Sequence, residues 1–235
     1  MSTIDLCNWR FSLGGSPAQL AGTEHYRAPD TVEIGAPIEL LKRLSNDATY
    51  ESAIQRQIQQ RLKIDPTARE WHAQRTRIGA TTHFKAYRKN PHYEQYHVAA
   101  RAVTAGNATS NQQGMVSGLD GEIGASKIVV PAGQVLFHGR GDMHLHEQQP
   151  YPSFVSASLD PTVCSYHATK RKRQNGKNAK AVIYLLTLRD ALPAMWGNGG
   201  GLDEWELLLQ SGLTCTMTAV HGGQRFDIVE ATIGI

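Results

Sequence analysis

The chain has 235 residues, 40% of them hydrophobic and 19% charged, which suits one large domain or a compact domain with an appendage. Its formal net charge of +3 permits an acidic partner but does not require one. The 3 cysteines are odd in number and widely spaced, which excludes a disulfide framework and favours a reducing compartment. Because the start of the chain lacks the pattern of a secretory signal and no apolar run is long enough to span a membrane, we expect a soluble, cytoplasmic protein with no membrane partner.

The first half of the chain is predicted to be mainly helical. Residues 1–34 are rich in glycine, serine and proline, which indicates loop and weak strand. Helical spacing of apolar residues and Asx-Pro capping signals predict helices from Pro37, from Tyr50 to Lys63, from Pro66, and from Pro91 to Gly106. The polar, glycine-rich residues 107–126 are predicted to form a loop.

Beyond residue 126 the pattern changes to short apolar runs separated by glycine and proline, which is typical of antiparallel sheets. The predicted strands are Lys127–Val130, Gln134–His138, Ser153–Ser156, Ala181–Leu188, Glu204–Gln210, Leu213–Val220 and Gln224–Ile233. One helix, capped by Asp160 and reaching Ala168, interrupts them. We therefore predict an α+β protein, with an N-terminal helical and irregular region over residues 1–85 and a core over residues 86–235.

Two carboxylates stand close together at the start of one predicted strand. Glu204 and Glu206 follow the glycine-rich residues 197–201 and precede a run of leucines. Residues i and i+2 of a strand point to the same face, so both carboxylates are expected to project into one space. The alternative interpretation is an edge strand whose glutamates are solvated.

Two other segments of the sheet half carry polar groups in an unusual order. An apolar strand ends in His138, Gly139 and Arg140. A second strand places Ser156 and Ser158 on one face, just before a capped helix. Each segment alone indicates little, because a single histidine is often structural and a Ser-x-Ser pair before a helix often serves only as a cap.

Together and in this order, the three segments resemble the mono-ADP-ribosyltransferase family. Its arginine-serine-glutamate class has a strand ending in aromatic-Arg-Gly, a Ser-Thr-Ser strand followed by a helix, and a Glu-x-Glu strand. The resemblance covers roughly residues 90–235, including the Ser-Leu-Asp-Pro helix start and the glycine-rich loop before the glutamates. It implies N-terminal helices followed by a split antiparallel two-sheet catalytic core, with NAD bound as a substrate between the sheets.

The chain departs from that class at two positions. His138 stands where the class has arginine, as in the aromatic-His-Gly strand of the diphtheria-toxin-like enzymes, which lack the Ser-x-Ser and Glu-x-Glu segments. Ala157 replaces the central threonine of Ser-Thr-Ser and removes one hydroxyl. The chain is thus a hybrid of two patterns, which leaves Arg140 as the nearest candidate to hold the NAD pyrophosphate.

The resemblance assigns the catalytic roles to the paired glutamates. Cleavage of the nicotinamide–ribose bond produces an oxocarbenium-like sugar, as in glycoside hydrolysis. Glu206 would stabilise that charge, and Glu204 would orient or deprotonate the incoming nucleophile. His138 would bond a ribose hydroxyl, and Gly139 would let the backbone approach the nicotinamide carboxamide.

Other residues are assigned by the same resemblance. Ser156 and Ser158 belong to the NAD-binding strand, where Ser156 would hold the catalytic glutamate in place. Tyr166 is a candidate to stack on nicotinamide, with a core tyrosine as the alternative. Trp196 lies where the family has an aromatic residue that contacts the target protein, with a loop anchor as the alternative.

Two further motifs lie outside the three segments that carry the resemblance. The basic run over residues 170–177 is interpreted as a solvated loop, with contact to nucleic acid or to an acidic surface as the alternative. His144, His146 and Glu147 are possible metal ligands, but no matching pair at zinc spacing accompanies them, so we expect no metal.

We therefore predict an NAD-consuming mono-ADP-ribosyltransferase of the bacterial-toxin or phage-encoded type, acting in the cytoplasm of a host or target cell. Its acceptor is expected to be a macromolecule, with a protein arginine as the first candidate and nucleic acid as another. The alternatives are an NAD glycohydrolase on the same fold and a non-catalytic nucleic-acid-binding module.

Overall fold

The computed structural model describes residues 3–6, 10–12, 31–33, 36–78, 81–89, 92–140, 148–175, 180–197 and 204–235. Its α-helices are α1 (Pro37–Asn46), α2 (Glu51–Ile64), α3 (Pro66–Ile78), α4 (Thr82–Tyr87), α5 (His92–Thr104), α6 (Ser110–Gly124) and α7 (Pro161–Asn175), and a short 3-10 helix covers Ala48–Tyr50. Within these described ranges, none of the helices has both the length and the hydropathy needed to cross a bilayer.

The strands are β1 (Arg10–Ser12), β2 (Thr31–Glu33), β3 (Ile128–Val130), β4 (Val135–Arg140), β5 (Gln148–Pro150), β6 (Val155–Ser158), β7 (Ala181–Leu188), β8 (Leu192–Gly197), β9 (Glu206–Leu209), β10 (Thr214–His221) and β11 (Phe226–Gly234). The first two form a separate antiparallel pair. The other nine form one sheet in the order β3-β8-β9-β6-β4-β7-β11-β10-β5. All of its pairs are antiparallel except β7 with β11. The predicted α+β class is confirmed.

The sheet consists of a four-stranded part and a five-stranded part with little backbone pairing between them, and both parts belong to one sheet. Strands β6 and β4 join them through a single residue pair, Phe137 with Ser158. By contrast, β4 pairs with β7 over its whole length, from Val135 to Arg140. The sheet is therefore weakest between the strand that carries His138 and the strand that carries Ser156.

The helices predicted from proline and Asx signals are confirmed. The carboxylate of Asp65 accepts the backbone N–H groups of Thr67 and Ala68 at the start of α3, which is the contact expected of an N-cap. The apolar faces of α1 and α2 are buried, since Leu41, Ile54 and Ile58 are all inaccessible to solvent.

The loop predicted for residues 107–126 is wrong, because residues 110–124 form helix α6. Thr109 and Gln112 form a reciprocal capping box at its start, and this offsets the weak helix propensity of its glycines. Three buried residues, Val116, Leu119 and Ile123, provide its packing face. Tertiary packing of a short apolar stripe outweighed a polar, glycine-rich composition.

Helix α6 also supports two neighbouring elements. The Glu122 carboxylate accepts the backbone N–H groups of His83 and Phe84 and so caps α4 from a distance. Asp120 accepts the backbone N–H of Ser211 at the end of β9. The same helix thus fixes one helix and one end of the strand that begins at Glu206.

The N-terminal helices share a hydrophobic core with the sheet. Leu40, Ile58 and Trp71 belong to the same buried cluster as the strand residues Leu186 and Leu207. Polar contacts reinforce this packing at the start of β11. Ser45 of α1 donates to the Phe226 carbonyl, and the Arg225 guanidinium bonds the Glu51 carboxylate at 2.6 Å.

Helix α7 begins at the predicted cap but extends beyond the predicted end. Asp160 accepts the backbone N–H of Thr162 at 2.9 Å, as expected of a capping residue. The helix continues to Asn175 rather than ending at Ala168, so residues 170–175 of the basic run are helical and not a loop.

Asp160 is fully buried, and this leads to a prediction about stability. Desolvation raises its pKa from 3.8 to about 6, despite hydrogen bonds from Thr162 that lower it. The buried charge of ionised Asp160 therefore destabilises the fold above pH 6. The Asp160 carboxyl binds its proton more tightly in the folded state than in the unfolded chain. Asp160→Asn keeps the capping oxygen and should stabilise the protein by up to about 3 kcal/mol at pH 8, at roughly 1.4 kcal/mol per pKa unit.

The measurement is urea unfolding of both proteins as a function of pH. The advantage of Asp160→Asn should shrink as the pH falls through 6, because the wild-type carboxyl is then neutral in the folded state. Asp160→Ala, which lacks the capping oxygen, should be less stable than Asp160→Asn at every pH. An advantage independent of pH contradicts the argument.

Candidate functional site

The carboxylate of Glu206 lies where β9 passes between two other strands. Glu206 pairs with Ser158 of β6 on one side and with Gly197 of β8 on the other. The Ser156 hydroxyl donates a hydrogen bond to its Oε1. A Cβ at Gly197 would collide with Oε2, so the glycine leaves the room that the carboxylate occupies. The expected contact between Ser156 and Glu206 is therefore present.

The surroundings of Glu206 make its carboxylate unusually easy to protonate. Desolvation first, and the nearby charge of Glu204 second, raise its pKa from 4.5 to about 7. The hydrogen bond from Ser156 and the charges of His167 and Arg88 act in the opposite direction. A half-buried carboxylate whose pKa is raised by desolvation and a neighbouring carboxylate is typical of a functional site rather than of a solvated edge.

The Glu204 carboxylate lies near Glu206, but the backbone between them is not the predicted strand. The strand begins at Glu206, and Trp205 between the two glutamates has a φ of +48°, a left-handed conformation that is rare and strained for a large side chain. The Ser158 hydroxyl donates to the Glu204 carbonyl at 2.6 Å and holds this turn. The prediction that both glutamates lie on one strand is therefore wrong, because a strained turn brings the second carboxylate near the first.

His138 connects the two parts of the sheet where the backbone pairing fails. Its Nδ1 lies 2.6 Å from the Ser156 carbonyl, which can only accept, so Nδ1 carries a proton. Its Nε2 lies 2.7 Å from the Tyr151 hydroxyl. The same hydroxyl accepts a hydrogen bond from Arg140 at 2.9 Å. A continuous series of hydrogen bonds therefore runs from Arg140 through Tyr151 and His138 to the strand that carries Ser156.

Gly139 has a packing role that the sequence did not indicate. A Cβ at this position would collide with the carbonyl oxygen of Cys164 in α7. The glycine therefore lets the helix approach β4 closely. Burial, reinforced by the charge of Asp160, raises the pKa of the Cys164 thiol above its ordinary value of 9.0 and keeps the thiol neutral.

The two aromatic candidates lie in opposite environments. Tyr166 on α7 is 52% exposed, so the alternative of a core tyrosine is wrong. Trp196 is only 1% exposed, lies in strand β8 rather than in a loop, and packs edge-on against Trp205 at 5.6 Å. A buried ring offers no surface to a target protein, and the anchoring interpretation of Trp196 fits its position.

The structure brings four further residues to this region: Arg88, Tyr151, His167 and Gly197. Arg88 follows α4, and its charge lowers the pKa of Glu206. The Nε2 atom of His167 lies 3.1 Å from Oε1 of Glu204. His167 lies on the predicted helix that Asp160 caps, so its place beside the strand that carries Ser158 could be inferred from the sequence.

Some predicted features lie outside the described residues. These are His144, His146 and Glu147, residues 198–203 of the glycine-rich loop, and the last part of the basic run. Within the described ranges, the histidine, cysteine, aspartate and glutamate side chains form no group of three or more that could hold a metal.

The architecture and the strand carrying Glu206 define a class: the fold is that of the ADP-ribosyltransferases. ADP-ribosyltransferase Vis, from Vibrio splendidus, matches with a TM-score of 0.56 and 13% identity over 85% of this chain and 91% of its own. The C3 exoenzyme of Clostridium limosum matches with a TM-score of 0.53 and 15% identity over 73% and 95%. An ADP-ribosyltransferase from Clostridium botulinum matches with a TM-score of 0.52 and 13% identity over 71% and 94%.

The similarity is in structure rather than in sequence. No protein-family model matches the chain, and no curated protein is similar to it in sequence. At identities of 13–15% the matches establish the fold, and the resemblance inferred from the three short segments is confirmed at that level. The chemistry has to be argued from the site itself.

Proposed function

We propose that this protein is a mono-ADP-ribosyltransferase that cleaves NAD at the nicotinamide–ribose bond and transfers ADP-ribose to a macromolecule. The observation that carries the proposal is the half-buried carboxylate of Glu206, bonded to Ser156 and close to the charge of Glu204. This carboxylate is a suitable partner for a sugar cation. The similarity in fold to bacterial ADP-ribosyltransferases supports the choice of NAD as the substrate.

In the proposed reaction, the bond between ribose C1′ and the nicotinamide nitrogen breaks, and nicotinamide leaves with the electron pair. The positive charge that develops on the ribose is stabilised by ionised Glu206. The acceptor nitrogen then forms a bond to C1′ and loses a proton, which Glu204 receives and passes to solvent. A protein arginine is the first candidate acceptor, because a carboxylate is needed to hold and deprotonate a guanidinium.

His138, Gly139, Arg140 and Tyr166 remain the candidates for binding NAD. Arg140 is a suitable partner for the pyrophosphate, because it is already oriented by Tyr151. Tyr166 is exposed and can stack on a planar ring. One protein of similar fold, the ADP-ribosylating toxin BECa of a C. perfringens binary enterotoxin, has been solved with NADH, which supports a dinucleotide site on this fold.

One observation favours NAD glycohydrolase as the second candidate function. Trp196, the residue expected to contact a protein target, is buried and cannot serve in that way. With water as the acceptor, the same site would release ADP-ribose and nicotinamide. For the transferase, the toxins among its structural neighbours support the bacterial-toxin type, whose place of action would be the cytoplasm of a host or target cell.

The test is incubation of the purified protein with NAD labelled in the adenine ring, with and without a cell lysate. A transferase releases nicotinamide and attaches label to macromolecules, and arginine-rich peptides should compete for the label. Release of nicotinamide without attachment supports the glycohydrolase. Absence of any release contradicts both functions and leaves a binding module.

The pH dependence of nicotinamide release should follow the ionisation of Glu206. Because the carboxylate has to be charged and its pKa is about 7, kcat/KM for NAD should rise up to about that pH and level off above it. Ser156→Ala removes a hydrogen bond that lowers this pKa, so the midpoint should move to higher pH.

The measurement is the initial rate of nicotinamide release at low NAD concentration from about pH 5 to about pH 9. Ser117→Ala, at an exposed position on α6, is the matched control and should leave the profile unchanged. A flat profile, or a midpoint that Ser156→Ala does not move, contradicts the role of Glu206.

A further inference from the structure

His167 lies on the partly exposed side of α7 and points to Glu204. The distance from its Nε2 to Oε1 of Glu204 is 3.1 Å, and the two side chains are 40% and 24% exposed. Because an ionised carboxylate can only accept hydrogen bonds, Nε2 carries a proton and donates the hydrogen bond to Glu204. The contact is a charge-assisted hydrogen bond between an element of the core and the turn that precedes β9.

The main chain of Glu204 is fixed independently of this contact. Its carbonyl accepts from Ser158, and the next carbonyl, that of Trp205, accepts the backbone N–H of Leu159 at 3.1 Å. The left-handed Trp205 then sets the direction in which the side chain leaves the turn. Backbone and side chain are thus held by different partners, and His167 acts only on the carboxylate.

The imidazole of His167 has an aromatic neighbour on the same helix. The ring of Tyr166 lies edge-on to it, with 5.4 Å between the ring centroids. A long, partly exposed glutamate otherwise samples several rotamers, and ordering it costs conformational entropy. A fixed donor on one oxygen orients the carboxylate and leaves the other oxygen for a second partner.

We propose that His167 is a positioning residue for the acceptor: it holds Glu204 in the orientation that receives the nucleophile in the transferase reaction. The inference rests on the proposed function and adds a residue that favours transfer over hydrolysis. A macromolecular acceptor has to be aligned with C1′, and misalignment of a reacting group is costly in rate. Water is small and reaches the sugar without such alignment, so its reaction does not need His167.

The test compares transfer and hydrolysis in two substitutions of His167. His167→Ala removes the donor, and His167→Gln replaces it with an amide N–H at the end of a side chain of similar length. The charge of His167 lowers the pKa of Glu206, so both rates are measured at about pH 8.5, where a group with a pKa of about 7 is ionised in every variant. Thr169→Ala, on the same helix with its hydroxyl bonded to helix carbonyls, is the control.

We expect His167→Ala to lower transfer to an arginine-containing acceptor about tenfold, to raise KM for the acceptor, and to leave nicotinamide release with water unchanged. His167→Gln should restore most of the transfer. Equal loss of both reactions, or transfer unaffected by His167→Ala, overturns the positioning role while the proposed function stands. A wild-type protein that releases no nicotinamide overturns the proposed function and this inference together.

Discussion

Glu206→Gln is expected to abolish both ADP-ribosyl transfer and NAD hydrolysis. The amide keeps the shape of the side chain and can still accept the hydrogen bond from Ser156, but it carries no charge opposite the developing sugar cation. Loss of one such electrostatic contribution typically lowers a rate by roughly 10²- to 10³-fold. The measurement is single-turnover release of nicotinamide, which reports the chemical step without product release.

The same substitution should not harm the fold. Glu206 is desolvated and repelled by Glu204, so a neutral amide should unfold at a temperature equal to or above that of the wild type. Glu39→Gln, an equal change of charge on the exposed face of α1, is the matched control and should keep full activity. Near-full activity of Glu206→Gln refutes the central assignment.

Glu204→Gln should separate the two reactions. Transfer to an arginine acceptor should fall by roughly 10²-fold or more, because the proton of the guanidinium then has no carboxylate to receive it. Hydrolysis should be largely retained, since water is easier to position. The amide oxygen can still accept from His167, so the orientation of the side chain is preserved.

A second effect of Glu204→Gln provides an internal check. The charge of Glu204 raises the pKa of Glu206, so its removal should lower the midpoint of the pH profile for nicotinamide release. Equal loss of transfer and hydrolysis at a pH where Glu206 is ionised indicates that Glu204 serves NAD rather than the acceptor.

The hybrid character noted in the sequence has a physical counterpart in the structure. By the resemblance, His138 stands where the arginine-serine-glutamate class has arginine, and in the structure its ring links β4 to the Ser156 carbonyl. Arg140 reaches the same chain of hydrogen bonds through Tyr151. We propose that the histidine holds the two parts of the sheet together and that Arg140 provides the charge for the pyrophosphate.

Several features were predictable because they depend on local chemistry. The Asp65 and Asp160 caps follow from the preference of a carboxylate for free backbone N–H groups, and both are present. The buried strand β7 follows from an unbroken β-branched and apolar run, and β11 follows from a similar run in which Asp227 and Glu230 are the only charged residues. The order of the His138, Ser156 and Glu206 segments pointed to the fold because short motifs can be read without knowing their spatial neighbours.

The incorrect predictions concern elements whose structure depends on residues that are distant in sequence. Helix α6 was predicted as a loop from its glycines, but the burial of Val116 and Leu119 against the sheet stabilises it. Strand β8 is absent from the predicted strands, and Trp196 was expected in a loop, although β8 pairs with both β3 and β9. Pairing with partners far along the chain is invisible to a local pattern.

The amino-acid sequence by itself determined the class of fold and the pair of glutamates on which the proposed function depends, because capping, periodicity and the order of motifs are encoded locally. Only the tertiary structure decided how the site is built. The contact between His167 and Glu204 and the charge of Arg88 near Glu206 each join segments that are separate in sequence. The strained Trp205 is held by the bonds of Ser158 and Leu159 to the carbonyls of Glu204 and Trp205. The pKa of Glu206 follows from that assembly, because desolvation and neighbouring charges exist only in the folded chain.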